Sequence, residues 1–62
     1  MFEPVSHDSL QPGVKYKIMV YHYTFTGTFM EGLYFKRVKF GNKYLGTIQF
    51  HDTDRFYQLG SS

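Results

Sequence analysis

Hydrophobic and polar positions alternate along this chain from Val14 onward. Val14, Tyr16, Ile18 and Val20 fall on one face of an extended segment, and Lys15, Lys17, Met19 and Tyr21 fall on the other. That period of two predicts a half-buried strand. Residues 24–30 alternate again, with Phe25 and Phe29 on one side of a threonine-rich stretch whose composition suits a pleated surface. Glu31-Gly32 predicts a turn, 33–40 a third strand, 41–43 a second turn and 44–50 a fourth strand. A polar turn over 51–54 and a short fifth strand over 55–59 complete the set. No helical period is sustained. One turn near residues 6–10, capped by Ser6 or Asp8, is the single place for helical residues.

These elements predict one domain. Residues 1–13 hold both prolines and read as an irregular N-terminal arm, ended by Pro12-Gly13. Met1, Phe2, Val5 or Leu10 would anchor that arm. Residues 14–59 form the domain, and 60–62, Gly-Ser-Ser, form a flexible tail. Gly27 and Gly46 interrupt strong strands, which marks a bulge or sharp bend at each. The expected fold is therefore all-β, a small five-stranded, strongly bent antiparallel sheet or partly open barrel.

The register between the third and fourth strands has two solutions. A two-residue Gly41-Asn42 turn sets Phe40 opposite Lys43 and Phe35 opposite Ile48. A three-residue loop sets Phe40 opposite Tyr44 and gathers Tyr34, Val38, Phe40, Tyr44, Ile48 and Phe50 on one face. Turn chemistry favours the first and burial the second. A one-residue slip moves every side chain to the other face, so burial is given the deciding weight. That choice leaves Leu33, Phe35, Arg37, Lys39, Leu45, Thr47, Gln49 and His51 facing outward.

Composition narrows the function. The chain has 62 residues and no cysteine, which excludes a disulfide framework, a thiolate metal site and a cysteine nucleophile. Aromatic residues reach 21%, enough to fill a small core with rings. Seven Lys and Arg against five Asp and Glu give a net charge of +2, a mild lean toward polyanions. No apolar run is long enough for a membrane helix, and no basic start precedes an apolar stretch, so an intracellular, cytoplasmic protein without membrane contact is expected.

The layout of irregular lead-in, strand, kinked Phe25-Thr26-Gly27-Thr28-Phe29 strand, meander and short closing strand resembles the small five-stranded barrels of the Src-homology-3-like and Sm-like type over residues 10–59. The paired tryptophans and acidic loop of peptide-binding Src-homology-3 domains are missing, as are the Sm-type asparagine and Arg-Gly turn. The resemblance implies a fold and carries over no site residue.

Catalysis is not expected. Every serine lies in a terminal segment, and Asp52 and Asp54 flank Thr53 where Asp side chains cap their own turn. His51 and Asp52 point to opposite faces if extended, so no metal and no cofactor is expected. The remaining signal is basic residues interleaved with aromatics: Lys15, Lys17, Tyr21, Phe35, Arg37, Lys39 and Lys43 are the candidate binding residues. Cations contact phosphates and flat rings stack on bases, which suits single-stranded nucleic acid. Aromatics with Arg equally suit a protein partner or self-assembly. Lysines on a sheet are also ordinary solvation, and outer aromatics can pack beneath the arm. The expectation is a non-enzymatic binding or adaptor module acting through protein–protein contact or self-assembly, with nucleic-acid binding as the alternative.

Overall fold

The alternation that begins at Val14 becomes β2 (Lys15–Val20) in a computed structural model that describes residues 3–59. Before it come β1 (Glu3–Val5) and a single 3-10 turn, His7–Ser9. After it come β3 (Tyr23–Phe29), β4 (Tyr34–Phe40), β5 (Lys43–Gln49) and β6 (Arg55–Gln58). The expected anchors Met1 and Phe2 and the expected tail at 60–62 lie outside the described residues. The 3-10 turn sits where the sequence allows one, and the Ser6 hydroxyl accepts from the Asp8 N–H at 3.3 Å.

All six strands form one antiparallel sheet in the order β1-β6-β2-β3-β4-β5. One expectation is corrected here. Among the described residues the strands number six rather than five, because residues 3–5 of the supposed irregular arm pair with β6 (Glu3 with Gln58, Val5 with Phe56). Pro4 obscures this strand in the sequence, and it is tolerated because β1 is an edge. The sheet stays open, the bent antiparallel sheet of the sequence expectation rather than a closed barrel. It is strongly curled all the same. A flat single sheet is about 10 Å thick, whereas the molecule measures 25 × 24 × 22 Å.

The concave side of this curl holds the core. Tyr16, Ile18, Phe29, Phe35, Val38, Phe50 and Phe56 are buried there, and Leu10 closes it from the loop after the 3-10 turn. Phe35 lies at the centre, stacked on Phe56 at 5.6 Å and meeting Phe29 and Phe50 edge-on at 5.2 and 5.5 Å. The Tyr16 hydroxyl accepts from the Gln11 N–H at 3.0 Å, so the ring's polar end is satisfied.

The β4–β5 register overturns the burial-weighted expectation. Phe40 pairs with Lys43 and Phe35 with Ile48, the register of the two-residue Gly41-Asn42 turn. Both Phe35 and Val38 still reach the core because the ladder slips between them. Arg37 takes φ +56° in that slip, and one extra residue on β4 restores the inward direction at Val38. Gly27 lies opposite this bulge. A Cβ on Gly27 would meet Val38 Cγ2 at 3.0 Å and Phe35 Cβ at 3.2 Å. Gly46 has open space around it but φ +84°.

The two glycines therefore respond differently to substitution. Gly27→Ala overpacks the core and is expected to cost about 1–3 kcal/mol. Gly46→Ala costs about 1 kcal/mol through its backbone alone, and Gly46→Asn recovers most of that because Asn tolerates the left-handed region. Denaturant midpoints check both. Equal losses for Gly46→Ala and Gly46→Asn would refute the backbone explanation.

Candidate binding face

Residues opposite one another in the ladder share a face, so pairing assembles the outer side of the sheet row by row. Tyr57, Lys17, Thr26, Lys39 and Tyr44 form one row across five strands. Beside it run Arg55, Met19 and Thr24, and on the other side Lys15, Thr28 and Lys36. The two central lysines are two strands apart, about 10 Å. Each stands over the tyrosine beside it: Lys17 Nζ lies 5.9 Å from the Tyr57 ring centre and Lys39 Nζ 5.3 Å from that of Tyr44. Lys15, Thr26, Thr28, Arg37, Lys39 and Tyr44 line a common depression.

Charge is segregated. Six of the seven Lys and Arg, all but Lys43, sit on this face. The five carboxylates lie elsewhere or at its margin. Glu3 belongs to the row of buried Tyr16, while Asp8, Glu31, Asp52 and Asp54 are in turns. Asp54 comes nearest, beside Arg55 and Tyr57. Its Oδ2 accepts from the His51 N–H at 3.0 Å, as the turn reading of Asp52 and Asp54 expects. With like charges gathered and opposite charges excluded, the face presents a positive field that focuses on polyanions.

Five of the seven sequence candidates belong to this side of the molecule. Lys15, Lys17, Arg37 and Lys39 share the face, and Tyr21 stands at the tip of the β2–β3 turn, 87% exposed. The other two do not. Phe35 is fully buried, and Lys43 shares the row of Phe40 on the opposite side. Both misplacements follow from the register. Tyr44, Tyr57, Arg55 and Lys36 also lie on this face without being sequence candidates; the burial-weighted register puts Tyr44 in the core, and the outward place of Tyr57 and Arg55 follows only from pairing with a distant strand.

Among the described residues of the arm, Val5 and Leu10 pack against the core side and not over the outer aromatics. Among the described residues, no helix is long and apolar enough to cross a membrane.

Fold and face together define a class: a small all-β module built on one curled antiparallel sheet, with a cationic, tyrosine-flanked outer surface. Comparison with protein-family models, curated proteins and solved structures found no match to this chain.

Proposed function

We propose that this chain is a non-enzymatic binding module whose outer sheet face holds single-stranded nucleic acid. The observation that carries the reading is the gathering of six cations and two flanking tyrosines on one face free of strand carboxylates. Cations of Lys15, Lys17, Arg37 and Lys39 neutralise phosphates, and the rings of Tyr44 and Tyr57 offer stacking surfaces at the row's ends. The Src-homology-3-like resemblance adds a scaffold to this reading and no ligand.

A labelled oligonucleotide followed by fluorescence anisotropy tests it. Three or four phosphate contacts on a single strand give a slope of log affinity against log salt of about −2 to −3. Absence of binding at low salt would sink the proposal.

Protein contact is a second reading, and it concerns a different surface. Tyr34, Phe40 and Leu45, all on β4 or β5, are 37–44% exposed beside β5, which among the described residues is a free edge of the sheet. An unpaired edge next to apolar side chains is where another strand can add.

A further inference from the structure

We propose that the depression at the tip of the β2–β3 hairpin is a slot for one unpaired nucleobase, with Tyr21 as its stacking platform. The inference rests on the nucleic-acid reading above and names the part of the ligand that this end of the face takes. Met19, Tyr21, Thr53, Asp54, Arg55 and Tyr57 line the depression.

The backbone at Tyr21 is the first argument. Among the described residues, two hairpins have two-residue turns, closed by the pairs Val20–Tyr23 and Phe40–Lys43. In each, the first central residue takes positive φ, +57° at Tyr21 and +63° at Gly41. That position suits glycine, and the second hairpin has one. An L-residue with a large side chain is strained there. Leu33, at φ +65°, offsets its strain by packing on the core, and Arg37 belongs to the bulge opposite Gly27. Tyr21 has no such return. It is 87% exposed, and among the described residues no hydrogen bond or ring contact holds it. The strain keeps an aromatic ring at a place where the fold itself does not use one.

The second argument is position along the strand. The outward residues of β2 run Lys15, Lys17, Met19 at steps of about 6.6 Å, and Tyr21 follows at the turn. Cationic character gives way to flat and polarisable character in one direction. A nucleic-acid strand lying along β2 thus brings phosphates to the lysines and a base to Met19 and Tyr21. Tyr57 borders both regions, since it lies under Lys17 and also lines the slot.

The lining supplies the third. A nucleobase has apolar faces and a polar edge. Tyr21, Met19 and Tyr57 match the faces, and Thr53, Asp54 and Arg55 offer donors and acceptors to the edge. A polyanion without bases gains only the Arg55 cation from such a lining.

The test compares the intact chain with Tyr21→Asn and Tyr21→Trp, using a short single-stranded oligonucleotide and inorganic polyphosphate as probes. Asn tolerates the left-handed region, so Tyr21→Asn is expected to raise the melting temperature by about 4–8 °C. The same change weakens oligonucleotide binding about 5- to 160-fold, the share of one stacked base. Polyphosphate binding and both salt slopes stay as they were, and Tyr21→Trp keeps oligonucleotide affinity. Unchanged oligonucleotide affinity in Tyr21→Asn, or equal weakening toward both probes, overturns the slot and leaves the basic face standing. A fall in melting temperature shows Tyr21 to be structural and overturns it too. Failure of the intact chain to bind either probe removes the nucleic-acid reading itself, and the slot with it.

Discussion

Phe35→Ala is expected to leave a large part of the chain unfolded at 25 °C. The ring is fully buried and touches Tyr16, Phe29, Phe50 and Phe56, with centroids 5.2–6.3 Å away. Truncating a buried Phe costs about 3–5 kcal/mol, the lost transfer energy plus the cavity left among the four rings. A domain of this length has roughly 3–9 kcal/mol to lose. Tyr44→Ala, on the outer face and 71% exposed, is the control and should change stability by less than about 1 kcal/mol. Urea unfolding followed by circular dichroism separates the two. A Phe35→Ala protein with the parental midpoint would place the ring outside the core.

Reversing charge at the two central lysines should have the largest effect on binding. Lys17 and Lys39 flank Thr26 in the same row, so a polyanion lying along β2 and over β3 runs between them and meets both. Replacing attraction by repulsion at about 4 Å changes the energy by roughly 2 kcal/mol per site, even at the dielectric of water. Lys17→Glu with Lys39→Glu is therefore expected to weaken oligonucleotide binding a hundred- to a thousand-fold at low salt, about 4 kcal/mol at most in that estimate. Removing two phosphate contacts also makes the salt slope shallower by about 1.4. Lys43→Glu changes the net charge in the same direction but sits on the other side, so its effect should stay under about tenfold. Equal losses for Lys43→Glu and the double variant would mean that total charge, and not this face, governs binding. Circular dichroism confirms that each variant is folded.

The sequence made β2 fully legible, because its alternation is local and unbroken from Val14 to Val20. Lys15 and Lys17 fell on the correct face for that reason. The β4–β5 pair was misread for an equally definite one. Phe35 and Val38 are three residues apart, so no strict period of two can bury both. Apolar burial per face, taken alone, therefore favours the wrong register. Gly46 marks its own bend and takes it up at φ +84°, but at Gly27 the residue that absorbs the bulge is Arg37 on the neighbouring strand, which nothing local distinguishes. The Gly41-Asn42 turn held the correct answer. Tyr57 and Arg55 were illegible as site residues because their outward place depends on pairing with β2, some forty residues away in sequence.

The pairing of β1 with β6 makes the described chain almost a ring. Glu3 and Gln58 are ladder partners, so the two ends of the described chain emerge side by side, about 5 Å apart at the Cα atoms. They do so at the end of the sheet away from Tyr21, in the row of Tyr16. A label, tag or neighbouring domain attached at either end thus leaves the hairpin tip and its depression clear. Joining the ends and opening the chain in the 51–54 turn would bring β6 within one short connection of β1. The β2–β6 closure would then span fewer residues, a saving in loop entropy of less than about 1 kcal/mol. The sheet's arrangement is thus nearly indifferent to the order in which its strands are threaded.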